Sequence, residues 1–192
     1  MRVSRDQMAQ NRLRILDAAA SLFREKGFDA VSVAEVMKAA GLTHGGFYGH
    51  FASKDDLIAQ TLVHAFAATD GKSGGKGRGL AAFMDAYLSA RHRDHPDEGC
   101  PTACLAADTR HQTPSARAAM TAGVRSQIDR IGAALPEGDA AERRRAAIGS
   151  WAAMVGAMIL ARAVDDPEFS NELLAQTRAW IDARTGQGPD GT

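Results

Sequence analysis
The sequence predicts an all-α protein, and three observations carry that prediction. Apolar residues recur at the three- and four-residue spacing of helix faces, no stretch alternates in the manner of a strand, and the periodic runs are bounded by capping and breaking residues. About nine helices are expected over the 192 residues.

Residues 1–8 are polar and are expected to lie outside the first helix, which spans about Gln10–Lys26. Leu13, Ile15, Leu16, Ala19, Ala20, Leu22 and Phe23 supply its apolar positions, and Gly27 suits its C-terminal cap. The chain is organised around the stretch Ser32–Lys54. Two short helical patterns, Val33–Ala39 and His44–Phe51, flank a tight turn at Ala40-Gly41-Leu42-Thr43. Ser32 with Glu35 has capping-box spacing, Thr43 is an N-cap for the second helix, and Ser53 with Asp56 starts a third. Val33, Val36, Met37 and Leu42 give an inner face that Phe47 and Phe51 continue. Two helices across a short glycine-containing turn form a helix-turn-helix, whose second helix enters the major groove of DNA.

A helix over about Lys54–Thr69 carries Leu57, Ile58, Leu62, Val63 and Phe66 away from this unit. Asp70–Gly79 holds five glycines in ten residues and reads as a flexible connection. The expected division is therefore a DNA-binding domain over 1–69, a connection over 70–79 and a second helical domain over 80–192. Within the last, helices are expected at about Leu80–Arg93, Pro101–Thr109, Ser115–Leu135, Ala140–Val164 and Glu168–Ala183. The middle of Ala140–Val164 is apolar nearly all round, as in a helix buried on every side. Its longest apolar run, Ala146–Ala161, is interrupted by Gly149, Ser150 and Gly156 and is too short to span a bilayer.

Gly41-Leu42-Thr43-His44-Gly45-Gly46-Phe47-Tyr48-Gly49-His50-Phe51-Ala52-Ser53-Lys54-Asp55-Asp56-Leu57 resembles the recognition segment of the tetracycline-repressor (TetR) family of bacterial transcription regulators. The likeness extends upstream through Arg14-Ile15-Leu16-Asp17-Ala18-Ala19 and the Leu22-Phe23 and Gly27-Phe28 pairs. It implies a homodimeric DNA-binding regulator, chiefly a repressor. A palindromic double-stranded operator would be released when a small-molecule effector enters the C-terminal half. No cofactor is implied.

Chemistry at the helix-turn-helix selects Lys38, Thr43, His44, Gly45, Tyr48, His50 and Lys54 as candidate DNA contacts. Thr43 and Lys54 sit at helix starts where phosphates bind, His44 and Gly45 face the groove, and Tyr48 offers a phenol to a phosphate or thymine methyl. His50 is read either as a phosphate contact or as core. Gly45, Gly46 and Gly49 leave few side chains to read bases, so recognition leans on backbone approach and DNA shape. Net charge agrees: Lys+Arg equals Asp+Glu at 23 each, so affinity must come from placed contacts.

In the second half, Phe83, Met84, Tyr87, Cys104, Met120, Val124, Trp151, Met154 and Met158 are candidate ligand contacts. Ile148, Ala152, Gly156, Ile159, Phe169, Leu173 and Trp180 are candidates for the pairing of the last two helices with a second subunit, an arrangement the family resemblance implies. Cys100 and Cys104 leave open a thiol-based redox or electrophile sensor, or a metal sensor with His92, His95, Asp108 and His111, although the spacing matches no standard zinc site. Cys100 precedes Pro101 at a helix start, so it is expected to be the N-cap and the more reactive of the two. Two cysteines and no signal peptide fit a reducing cytoplasm. No Ser/His/Asp spacing, phosphate loop or carboxylate pair supports an enzyme.

Overall fold
The computed structural model describes residues 4–73 and 79–186. The described residues form helices α1 (Arg5–Lys26), α2 (Val33–Ala39), α3 (Lys54–Ser73), α4 (Leu80–Tyr87), α5 (Ala90–Asp94), α6 (Pro101–Thr109), α7 (Pro114–Ala134), α8 (Ala140–Ala163) and α9 (Pro167–Thr185). Short 3-10 helices occupy His44–Gly49 and Pro96–Glu98, and no strand occurs among the described residues.

The chain forms two compact units. The first takes in the chain up to Asp70 together with Cys100–Gly123; the second takes Gly71–Gly99 and Val124 onward. This departs from the division read from the sequence. Glycine content marks where a chain is free to bend, whereas compactness depends on which helices share a core. Residues 70–73 also continue α3 instead of opening a loop, and 74–78 of the expected connection lie outside the described residues.

The core of the first unit is built on α1. Ile15, Ala19 and Phe23 are fully buried on one face, with Phe28 edge-on to Phe23 at 5.3 Å between ring centres. Val36 and Met37 of α2 and Leu57, Ile58 and Leu62 of α3 are buried in the same unit. The helix starts five residues earlier than its apolar pattern suggests, because Ser4 caps it: the Gln7 N–H donates to Ser4 Oγ at 3.1 Å. Gly27 ends it at φ 79°, its N–H donating to the Phe23 carbonyl at 2.8 Å. At Gly123 of α7, an added methyl carbon would collide with the Phe66 ring, so only glycine permits that approach.

In the second unit α8 and α9 pack as a helical hairpin. Asp166 caps α9 through its Oδ1, which accepts the Glu168 and Phe169 N–H groups at 2.9 and 3.1 Å. Arg93 of α5 donates to Ser170 Oγ at 2.9 Å and to Asn171 Oδ1 at 2.8 Å. Arg162 of α8 donates to the His92 and Arg93 carbonyls at 2.6 and 3.1 Å. The expected helix over 80–93 is broken, since Leu88 leaves helical geometry and Ser89 caps α5 with a bond from the His92 N–H at 3.2 Å. The apolar run lies within α8, which is 24 residues long. Ala147, Ser150, Trp151, Met154, Ala157, Met158 and Ala161 are buried along one side of it, as in a helix that packs within a folded unit.

Candidate nucleic-acid interface
The candidate contacts lie on the end of α2, the 3-10 helix and its flanks, and the start of α3, all in the first unit. Ser32 Oγ accepts the Glu35 N–H at 3.1 Å and starts α2. The reciprocal half of the expected capping box does not form, because the Glu35 carboxylate turns to Lys26 Nζ at 2.7 Å. That pair holds Glu35 below the usual carboxylate range. The turn closes through Gly41 N–H to the Lys38 carbonyl at 3.0 Å and Leu42 N–H to the Met37 carbonyl at 2.9 Å. Gly41 sits at φ 67°, in the left-handed region, with the Arg14 guanidinium over it.

The recognition element is a 3-10 helix over His44–Gly49, which corrects the α-helix expected over His44–Phe51. Three of its six residues are glycines, and Thr43 holds N-cap geometry without a side-chain cap bond. Glycine stabilises an α-turn poorly, which favours the tighter, shorter form. One residue anchors it. Phe47 is 1% exposed and stacks on Phe51 at 5.7 Å. Tyr48, edge-on to Phe47 at 5.2 Å, is 73% exposed.

Of the candidate contacts, Lys38, Thr43, His44, Gly45 and Tyr48 are exposed, and His50 and Lys54 are half-buried. Burial first, and then the charge of Arg12, hold His50 below the ordinary histidine value of 6.5. That shift favours the neutral imidazole near neutral pH. Ser53 Oγ accepts the Asp56 N–H at 3.1 Å and starts α3, while Asp56 Oδ2 accepts the Ala52 N–H at 3.0 Å. The Ala52 bond, with Gln60 behind it, keeps the Asp56 carboxyl below the usual range. Sequence reasoning missed Arg12. From α1 it donates to the His50 carbonyl at 2.5 Å and to Gln60 Oε1, and its guanidinium lies 4.5 Å from the centre of the Phe51 ring. Its place beside the aromatic segment could not be seen from spacing, because 38 residues separate it from His50.

The candidate ligand contacts are divided between the units. Cys104 and Met120 belong to the first, and Phe83, Met84, Tyr87, Val124, Trp151, Met154 and Met158 to the second. Within the second unit Tyr87 meets Phe83 at 6.0 Å and Trp151 at 5.4 Å, and Met84, Met154 and Met158 are fully buried. Trp151 is 4% exposed, and its buried indole N–H has no acceptor among the described residues. A cleft of about 300 Å³ is lined by Glu142, Arg145, Gly149, Ser150, Trp180 and Arg184 among others, none of them an expected ligand contact. Cys100 is the N-cap of α6, as Pro101 indicates, but its side chain caps nothing. Cys100 is 5% exposed and Cys104 is the more open, which weighs against Cys100 as the more reactive of the two. Packing around the helix start covers the cap residue, which a sequence offset cannot reveal. Among the described residues no group of three or more His, Cys, Asp or Glu is placed to hold a metal.

Comparison with known proteins agrees with this architecture. Residues 15–61 match the family described as bacterial regulatory proteins, tetR family, and residues 77–177 match the tetracyclin repressor-like C-terminal domain. The chain is 39% identical over 59 residues to the HTH-type transcriptional regulator AcrR of Shigella flexneri, covering 31% of this chain and 27% of that protein. It is 36% identical over 91 residues to the HTH-type transcriptional repressor KstR2 of Mycobacterium tuberculosis, covering 47% of this chain and 36% of that one. The matches thus span about a third of the length of these relatives. A transcriptional regulator of Agrobacterium tumefaciens shares the fold with a TM-score of 0.76 over 93% of this chain and 99% of that one, at 22% identity.

Proposed function
This chain belongs to the TetR family of bacterial regulatory proteins, and from that membership we propose that it is a ligand-responsive transcriptional repressor. Two copies hold a two-fold operator and release it when a small molecule occupies the C-terminal half. The observation that carries this reading is the division of the recognition element. Phe47 and Phe51 are buried, which fixes the element to its unit, while Thr43, His44, Gly45 and Tyr48 are left outside. Thr43 and Lys54 bind phosphates and set the register, and His44 and Tyr48 reach base edges or a thymine methyl. Gly45, Gly46 and Gly49 let the backbone come close to the groove, so DNA shape contributes to selection. Lys38 adds a phosphate contact from α2.

Dimerisation uses α8 and α9, where Ile148, Ile159, Phe169 and Trp180 remain exposed in the single chain. The two recognition elements then address successive major grooves, about 34–36 Å apart. The effector is bound by aromatic and methionine side chains of the C-terminal half. Trp151 supports this, since a buried donor without an acceptor costs stability that a ligand acceptor recovers. An effector that favours one dimer geometry shifts the population away from the DNA-binding state, and DNA opposes the effector by the same factor.

The test is selection of duplexes by the wild-type protein from a random-sequence pool. A two-fold symmetric motif bound by two chains is expected. Enrichment of no motif, or binding of one chain to an asymmetric site, overturns the reading.

A further inference from the structure
Six residues with three glycines and one buried side chain do not orient themselves. Something outside the recognition element must set its angle to α3, and the segment that decides this is 50–53, between the two helices. The chain is gripped there at two points. The His50 carbonyl accepts from Arg12 Nη1 at 2.5 Å, and the Ala52 N–H donates to Asp56 Oδ2 at 3.0 Å. Gln60 joins the two grips: its Oε1 accepts from Arg12 Nη2, and its Nε2 donates to Asp56 Oδ1 at 2.6 Å. The Arg12 guanidinium also lies over the Phe51 ring at 4.5 Å.

We infer that Arg12, acting through Gln60 and Asp56, is a positioning residue that fixes the recognition element against α3 in its DNA-binding pose. The inference rests on the DNA-binding reading above. Arg12 serves here by shape. Its bonded partners are a carbonyl and a neutral amide, and the carboxylate stands one link further on. A planar fork reaches two acceptors on different elements while its face covers an aromatic ring. A lysine carries the same charge and can do neither. Arg12 therefore differs from Lys54, whose proposed role is to meet a phosphate directly.

The experiment uses a fluorescent duplex selected from a random pool by the wild-type protein, with dissociation constants measured over a series of KCl concentrations. Arg12→Met and Arg12→Lys are both expected to weaken binding about tenfold. The dependence on salt should stay at the wild-type slope, because no phosphate contact is lost. Gln60→Met, which removes no charge, should weaken binding several-fold, and Arg12→Met/Gln60→Met should be no worse than Arg12→Met alone. Recovery of wild-type affinity by Arg12→Lys, or a slope reduced by about one in Arg12→Met, makes Arg12 a charge contact and overturns the inference. Additive losses in the double variant overturn it as well. Circular-dichroism melts identify any Arg12 variant that fails to fold. Gln60→Met then decides alone, and unchanged affinity in it rejects the relay. Failure of the wild type to enrich any duplex is a failure of the DNA-binding reading and is seen before any variant is made.

Discussion
Around the recognition element, what reaches solvent is polar side chain or bare backbone: Thr43, His44, Gly45, Gly46, Tyr48 and Gly49. On α8 and α9 large apolar side chains also reach solvent among the charged ones, with Ile148 45%, Ile159 44%, Phe169 46% and Trp180 44% exposed. Both surfaces come from helices that bury an opposite face, yet they ask for different partners. Exposed hydroxyls, imidazole and amides are hydrated at little cost and exchange water for phosphate and base edges. A row of large apolar side chains is held in water at a cost that a matching apolar face removes. The contrast separates the two proposed contacts, DNA at one surface and a second copy at the other.

The largest effect on this contrast is expected at Gly156. A side-chain carbon added there meets nothing within 4 Å in the single chain. Gly156→Leu is thus harmless to one subunit, while across a close two-fold contact it overpacks at about 1–3 kcal/mol. Sedimentation equilibrium should show the dimer weakened at least tenfold, with the thermal melt of the dilute monomer unchanged. A dimer of wild-type strength would place the second copy elsewhere.

Next in size are the contacts at the other surface. Lys54→Ala should weaken operator binding and lower the salt slope by about one unit. Tyr48→Ala should weaken binding at an unaltered slope if the phenol packs on bases, and neither variant should change the dimer constant. Titration of the labelled duplex at several salt concentrations checks both, and unchanged affinity in the pair removes these residues from the interface.

The smallest effects lie within the recognition region. Gly45 has nothing within 4 Å of an added Cβ, so Gly45→Ala should raise stability by about 0.5–1 kcal/mol. Gly41 sits at φ 67° with Arg14 Nη2 2.6 Å from the same position, and Gly41→Ala should lower stability by about 1–2 kcal/mol. Urea denaturation distinguishes them. Two glycines four residues apart would thus serve opposite ends, one the fold and one the approach of DNA.

Much of the site was legible because its signals are local. Ser32, Ser53, Gly27 and the Cys100-Pro101 pair act on backbone groups within four residues of themselves, and each stands where the sequence placed it. Helix periodicity likewise separated buried Phe47 and Phe51 from exposed Tyr48. The start of α1 was missed because its first turns are polar and only Ser4 announces them. The 3-10 form of the recognition element was missed because the spacing of Phe47, Tyr48 and Phe51 suits either helix type over so few residues.

Local sequence was enough for the helical class, most helix ends, the turn glycine and the exposure of Tyr48 beside buried Phe47, since all of these follow from capping, periodicity and the φ that a residue allows. Packing alone assigned residues 100–123 to the N-terminal unit and covered Cys100 while leaving Cys104 more open. It also turned Glu35 from Ser32 to Lys26 and brought Arg12 under the segment after the recognition element. These outcomes depend on which helices come to share a core and on competition between partners many residues apart, and no local spacing encodes the winner.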